Sequence, residues 1–111
     1  MLDEKIGIDV LKAMTGDSFG DLVKAVVDVE RGRIAVDAEL HADLESLLLD
    51  DGSKQQDLWG INLYPDMTGD DFVEFDSMIN MRPSQGNRSR GVDDEKTRQK
   101  IFEIVHRWVA R

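Results

Sequence analysis

The stretch from Leu22 to Leu40 constrains the fold most tightly. It holds two alternating runs on either side of Arg31-Gly32. In the first run Val23, Ala25, Val27 and Val29 fall on one side, and Lys24, Val26, Asp28 and Glu30 on the other. In the second, Ile34, Val36, Ala38 and Leu40 share a side. A period of two is that of a β-strand. Gly32 supplies the positive φ that a tight hairpin turn needs. A two-residue loop at 31–32 predicts a register pairing Glu30 with Arg33, Val29 with Ile34, Val27 with Val36 and Lys24 with Glu39. Apolar then meets apolar, and charge meets opposite charge. Each cross-strand pair of this kind contributes about 0.2–1 kcal/mol.

The remaining elements follow the same logic. Asp9 is expected to cap a short helix through Val10, Leu11 and Met14. The Thr15-Gly16-Asp17 stretch ends it, and Phe19-Gly20-Asp21 leads into the first strand. Leu44, Leu47 and Leu48 predict a helix over 41–51, with Gly52 at its left-handed stop. Trp59, Ile61 and Leu63 share one face of a third strand, 58–64, which Pro65 ends. A fourth strand is expected over 71–81, with Val73, Phe75, Ile79 and Met81 inward. A polar loop runs to Val92. Asp93 then caps a last helix whose buried stripe is Ile101, Ile104, Val105, Trp108 and Val109. The order α-β-β-α-β-β-α predicts an α+β fold. Two hairpins form a four-stranded antiparallel sheet, and the helices pack mainly on one face. Lys24, Asp28, Asp37, Glu39, Asn62, Tyr64, Glu74, Asp76 and Asn80 would line the other, polar face.

The 111 residues suffice for one domain, 1–111, with a core that needs no crosslinks. There is no cysteine, which excludes disulfides, thiolate metal sites and cysteine nucleophiles. The opening residues Met1-Leu2-Asp3-Glu4-Lys5 do not resemble a signal peptide, and no apolar run suggests a membrane span. A cytoplasmic protein without membrane partners is expected. The net charge of −9 argues against non-specific binding to nucleic acid. That charge is uneven: residues 1–80 carry −13 and residues 81–111 carry +4.

Three segments resemble an uncharacterised family of short prokaryotic proteins, a domain of unknown function. They are Glu39-Leu40-His41-Ala42-Asp43-Leu44-Glu45, Leu58-Trp59-Gly60-Ile61-Asn62-Leu63-Tyr64-Pro65, and the run from Phe75 through Arg82-Pro83-Ser84-Gln85-Gly86-Asn87 to Arg90. The resemblance covers nearly the whole chain. It implies no activity, so the residues must carry the functional argument.

Two constellations compete. The loop from Arg82 to Arg90 holds Arg82, Ser84, Asn87, Arg88, Ser89 and Arg90, with Gly86 and no acid. Guanidinium forks suit phosphate and carboxylate. Glycine lets backbone amides approach a ligand. This is a candidate anion site. The alternative is a structural loop whose arginines pair with Glu74 or Asp76. It is not a P-loop, which needs Gly-x-x-x-x-Gly-Lys-Ser/Thr. The second constellation is Glu39, His41 and Glu45. His41 and Glu45, four apart on a helix, could hold a divalent metal ion. The alternative is plain helix-start chemistry, with Asp43 and Glu45 complementing the dipole. Ser77, His41 and Asp76 can be written as a triad, which means nothing without geometry. Late in the last helix, His106 complements the helix C-terminus. Tyr64 is the one aromatic expected on the polar face.

The leading expectation is a binding or interaction module without a cofactor, which recognises a phosphate or carboxylate group, or an acidic protein partner, through the arginine loop. One alternative is a metal-dependent phosphoester hydrolase built on Glu39, His41 and Glu45. Another is a structural subunit or oligomer. The sequence leaves the oligomeric state open.

Overall fold

The computed structural model describes residues 1–15 and 21–110. Its elements are β1 (Ile6–Gly7), α1 (Ile8–Thr15), β2 (Val23–Asp28), β3 (Arg33–Val36), α2 (His41–Asp50), β4 (Leu58–Leu63), β5 (Val73–Glu74), α3 (Glu95–Trp108) and β6 (Val109–Ala110). The expected turn at Gly16-Asp17 and lead-in at Phe19-Gly20 lie outside the described residues.

The fold is α+β. The sheet is four-stranded and antiparallel, in the order β3-β2-β4-β5. A separate parallel pair, β1 with β6, joins the two ends of the chain through Ile6 opposite Val109. The sequence pattern did not announce this pair, because two residues show no period.

The first hairpin forms with a different register. Asp28 faces Arg33, Val27 faces Ile34 and Ala25 faces Val36. The expected pairs of Glu30 with Arg33 and Val27 with Val36 do not occur. Asp28 is the cause. Its carboxylate accepts the amide N–H groups of Glu30 and Arg31, both at 2.9 Å, and its carbonyl accepts that of Gly32 at 2.9 Å. These bonds turn Val29 to Gly32 into a four-residue loop. The Ser53 hydroxyl donates to the other Asp28 oxygen at 2.5 Å, so the fully buried carboxylate is well supplied with donors. The slip is two residues, so every side chain keeps its expected face.

One sheet face carries Val23, Ala25, Val27, Ile34, Val36, Ile61 and Leu63, and packs on α1 through Leu11 and on α3 through Ile101, Ile104 and Val105. Most of the helical cover lies here, as the stripe of the last helix predicts. The other face is less polar than expected. Val26, Ala35 and Leu58 point that way and meet Leu44 and Leu48 of α2. Gly52, at φ 103°, follows the end of α2 as expected.

The expected fourth strand, 71–81, is cut to Val73–Glu74. Beyond it the chain lifts off the sheet and crosses β4 in a short 3-10 turn, Met78–Asn80, and a second such turn follows at Pro83–Gln85. Ser77 starts the first of these by accepting the Ile79 amide, at 3.3 Å. Asn80, fully buried, then takes the place of a strand partner. Its Oδ1 accepts the Gly60 amide at 2.8 Å, and its Nδ2 donates to the Gly60 carbonyl at 2.9 Å. Phe75 stays on the apolar side, edge-on to Phe102 at 5.4 Å. Asp94 rather than Asp93 caps α3, its carboxylate accepting the Thr97 amide at 2.9 Å.

Candidate functional site

The arginine loop is a built structure, and its cations do not converge. Arg82 donates to the carbonyls of Gln55 and Leu58, at 2.5 and 2.6 Å, and lies over the Trp59 ring at 4.2 Å. It staples the loop to the start of β4. Asn87 is buried and donates to the carbonyls of Asn80 and Gly91, at 2.7 and 2.9 Å, while its Oδ1 accepts the Asp93 amide at 2.8 Å. Ser89 donates to Asp93 at 2.6 Å, and the Arg88 amide donates to the other Asp93 oxygen at 3.0 Å. These bonds hold the exposed Asp93 carboxyl below its usual range, the Ser89 hydroxyl first. Ser84 and the Arg88 side chain are exposed. Arg90 turns the opposite way from Arg82, its Nε donating to Asp76 at 2.7 Å. The alternative weighed for this loop, arginines paired with sheet acids, holds for Arg90 alone.

The second constellation is not assembled either. Among the described residues no three His, Asp or Glu side chains gather closely enough to hold a metal ion. Glu39 is exposed, while Glu45 is close enough to Arg82 to favour its charge. His41 is buried, and its Nε2 lies 2.7 Å from the Ile61 carbonyl oxygen. A carbonyl only accepts, so Nε2 carries the proton and Nδ1 holds the lone pair of the neutral ring.

The structure instead brings one residue from each constellation into a single cleft of about 270 Å³. Leu40, the N-cap of α2, and His41 and Ala42, its first residues, form one wall. Lys24 and Asn62, cross-strand partners on β2 and β4, contribute the floor. Asp76, Ser77, Met78 and Ile79, together with Arg90, form the other wall. Leu40 and Met78 are 60% and 64% exposed, so the rim is apolar. Of the expected polar sheet face, Lys24, Asn62 and Asp76 do reach the cleft. Tyr64 does not line it; its hydroxyl donates to Glu74 at 2.9 Å.

Ser77, His41 and Asp76 share this cleft, yet they make no triad. His41 is committed to Ile61, Asp76 to Arg90, and the buried Ser77 hydroxyl to the Ile79 amide. No hydrogen bond joins any two of the three, as a triad requires.

The chain lies within one family over nearly its whole length: the pattern of a protein of unknown function, DUF5674, matches residues 1–108. The chain belongs to the DUF5674 family. No curated protein and no solved structure matches this DUF5674 chain. Among its described residues no helix is long and apolar enough to cross a membrane.

Burial is the main force on His41, and it lowers the imidazole pKa below its ordinary 6.5. Lys24 and Arg90 add to the lowering; the Ile61 carbonyl and Asp76 oppose it. The unfolded chain therefore binds this proton more readily than the folded one. Stability from this group is complete above pH 6.5 and is lost as the pH falls below it, toward the lowered value. The melting temperature of the parent should fall below pH 6.5 more steeply than that of a His41→Asn protein. Parallel profiles for the two would show that His41 is not held neutral.

Proposed function

We propose that this protein is a non-enzymatic binding module that takes a small ligand bearing a phosphate or carboxylate group in the α2–β4 cleft. Charge placement carries the reading. The chain as a whole is at −9, yet two cations, Lys24 and Arg90, line this one cleft, where Arg90 engages Asp76. Leu40 at the N-cap of α2 offers no side-chain hydrogen bond, so the first-turn amides add partial positive charge to the same wall. The apolar rim of Leu40 and Met78 suits a ligand with a short hydrocarbon part.

An NMR titration with inorganic phosphate and with 4-methylpentanoate, at ionic strength held constant with chloride, tests this. Saturable shifts are expected at the amides of His41, Ala42, Asn62 and Ser77. Lys24→Gln and Arg90→Ala should weaken binding several-fold, while Arg88→Lys should leave it unchanged. The absence of saturable shifts, or equal binding by the Lys24 and Arg90 variants, ends this reading.

A further inference from the structure

We infer that the cleft takes up its anionic ligand together with a proton, which His41 receives on Nδ1, so that affinity rises as the medium turns mildly acidic. The inference rests on the binding reading above and adds to it the regulation of that site. It starts from how the imidazole is held. His41 is buried in the cleft wall, and its Nε2 donates to the Ile61 carbonyl at 2.7 Å. That bond survives when the ring takes a second proton, because Nε2 keeps its hydrogen in both states. Nδ1 has no hydrogen-bond partner among the described residues. It is also not one of their fully enclosed unpartnered atoms, which are Arg33 Nε, Arg82 Nε and Asn62 Oδ1. Solvent therefore reaches Nδ1, and a proton arrives there from the medium with no other bond changing.

The protein alone opposes that proton. Burial disfavours the imidazolium, and Lys24 of β2 and Arg90 repel it, while the Ile61 carbonyl and Asp76 favour it. The charges of the other packed segments are absent or engaged: β4 carries none, Arg33 of β3 pairs with Asp3, and Asp28 of β2 bonds Ser53. On its own helix Asp43 and Glu45 follow His41, and Glu39 precedes it. An anion inside a cleft of about 270 Å³ lies within a few ångströms of the walls, His41 among them. There it offsets the two cations and favours the charged ring. The coupling is reciprocal: the proton favours the anion by the same factor. Free His41 titrates below its ordinary 6.5, and ligand-bound His41 titrates higher than the free form. Affinity therefore rises as the pH falls through the bound-state value and levels off below the free-state one.

The test uses 4-methylpentanoate, a carboxylate that stays largely ionised above pH 5.5, followed by NMR. Its affinity should be about tenfold higher at pH 5.5 than at pH 7.5, which corresponds to about one unit between the two titrations. The Cε1–H signal of His41 should accordingly titrate about one pH unit higher at saturation with the acid than without it. His106, the chain's other histidine, stands on α3 outside the cleft, and its titration should stay where it is. His41→Gln still offers a side-chain N–H but cannot take the proton, so its affinities at the two pH values should agree within about twofold. Saturable binding that leaves the His41 titration unmoved overturns this inference and leaves the anion-binding reading standing. A pH dependence that survives in His41→Gln overturns the assignment to His41. No saturable binding at either pH overturns both readings. The His41 titration in the parent decides the matter even where His41→Gln does not fold.

Discussion

Gly60→Ala should destabilise the protein by about 2–3 kcal/mol, enough to lower its melting temperature by roughly 10 °C. A Cβ built on Gly60 would come within 2.6 Å of both Cβ and Oγ of Ser77, and 3.1 Å from Ile79. The glycine is there for space, because the 77–80 segment crosses β4 directly over it. Ser77 is buried and held by its amide to the Arg90 carbonyl at 2.9 Å, so it cannot simply swing away. The displaced segment is also one wall of the cleft, so ligand affinity should fall together with stability. Thermal or chemical unfolding measures the first effect, and the double variant Gly60→Ala, Ser77→Gly checks the cause. Removing the Ser77 side chain should restore part of the loss, giving a coupling energy of about 1 kcal/mol or more. Additive effects would show that the two residues do not collide.

The second large effect is expected at Asn80. Asn80→Ala removes the partner of the Gly60 amide and the Gly60 carbonyl, and also a 2.9 Å bond from Nδ2 to the Arg90 carbonyl. Leaving such buried groups unpaired should cost about 3–4 kcal/mol. Asn80→Asp separates hydrogen bonding from shape. At neutral pH the carboxylate would still accept from the Gly60 amide but would face two carbonyl oxygens with its charge. It should be at least as destabilising as alanine there, and should recover relative to alanine in acid, once the protonated group can donate. Urea unfolding at pH 7 and pH 4.5 reads this out. An Asn80→Ala protein within 1 kcal/mol of the parent would mean that water replaces the amide without cost.

The strands and helices were readable wherever one pattern ran long enough. The stripe Ile101, Ile104 and Val105 and the alternation from Val23 to Val27 both place buried residues correctly, because burial imposes a period of its own. The hairpin register was misread because turn chemistry was judged from Arg31-Gly32 alone. Asp28 bonds forward to three amides, and that Asx-type turn was the missed signal. The fourth strand was overextended for a related reason. Its alternation continues on paper through Ile79, while Ser77 and Asn80 carry side chains that bond the backbone and replace the ladder. The cleft joins residues that the sequence reading held apart. His41 and Arg90 were each singled out, but with sequence neighbours. What joins them is the crossing of 76–80 over the sheet, a long-range arrangement that a single sequence does not display. Asn62 was placed on the polar face, and only the structure shows that its side-chain oxygen is buried without a donor among the described residues.

The short clasp between β1 and β6 bears on how the molecule is made. Ile6 pairs with Val109, so about a hundred residues of chain lie between the two. Closing a loop of that length costs on the order of 4 kcal/mol in chain entropy, far more than two residues of pairing return. The clasp therefore cannot nucleate folding; it forms once the sheet and α3 have already brought the ends together. On a ribosome that moment arrives only after Ala110 has been added and has left the exit tunnel. Until then α1, which packs beside β1, lacks part of its final seat. The first helix therefore waits, incompletely docked, through about a hundred residues of later synthesis.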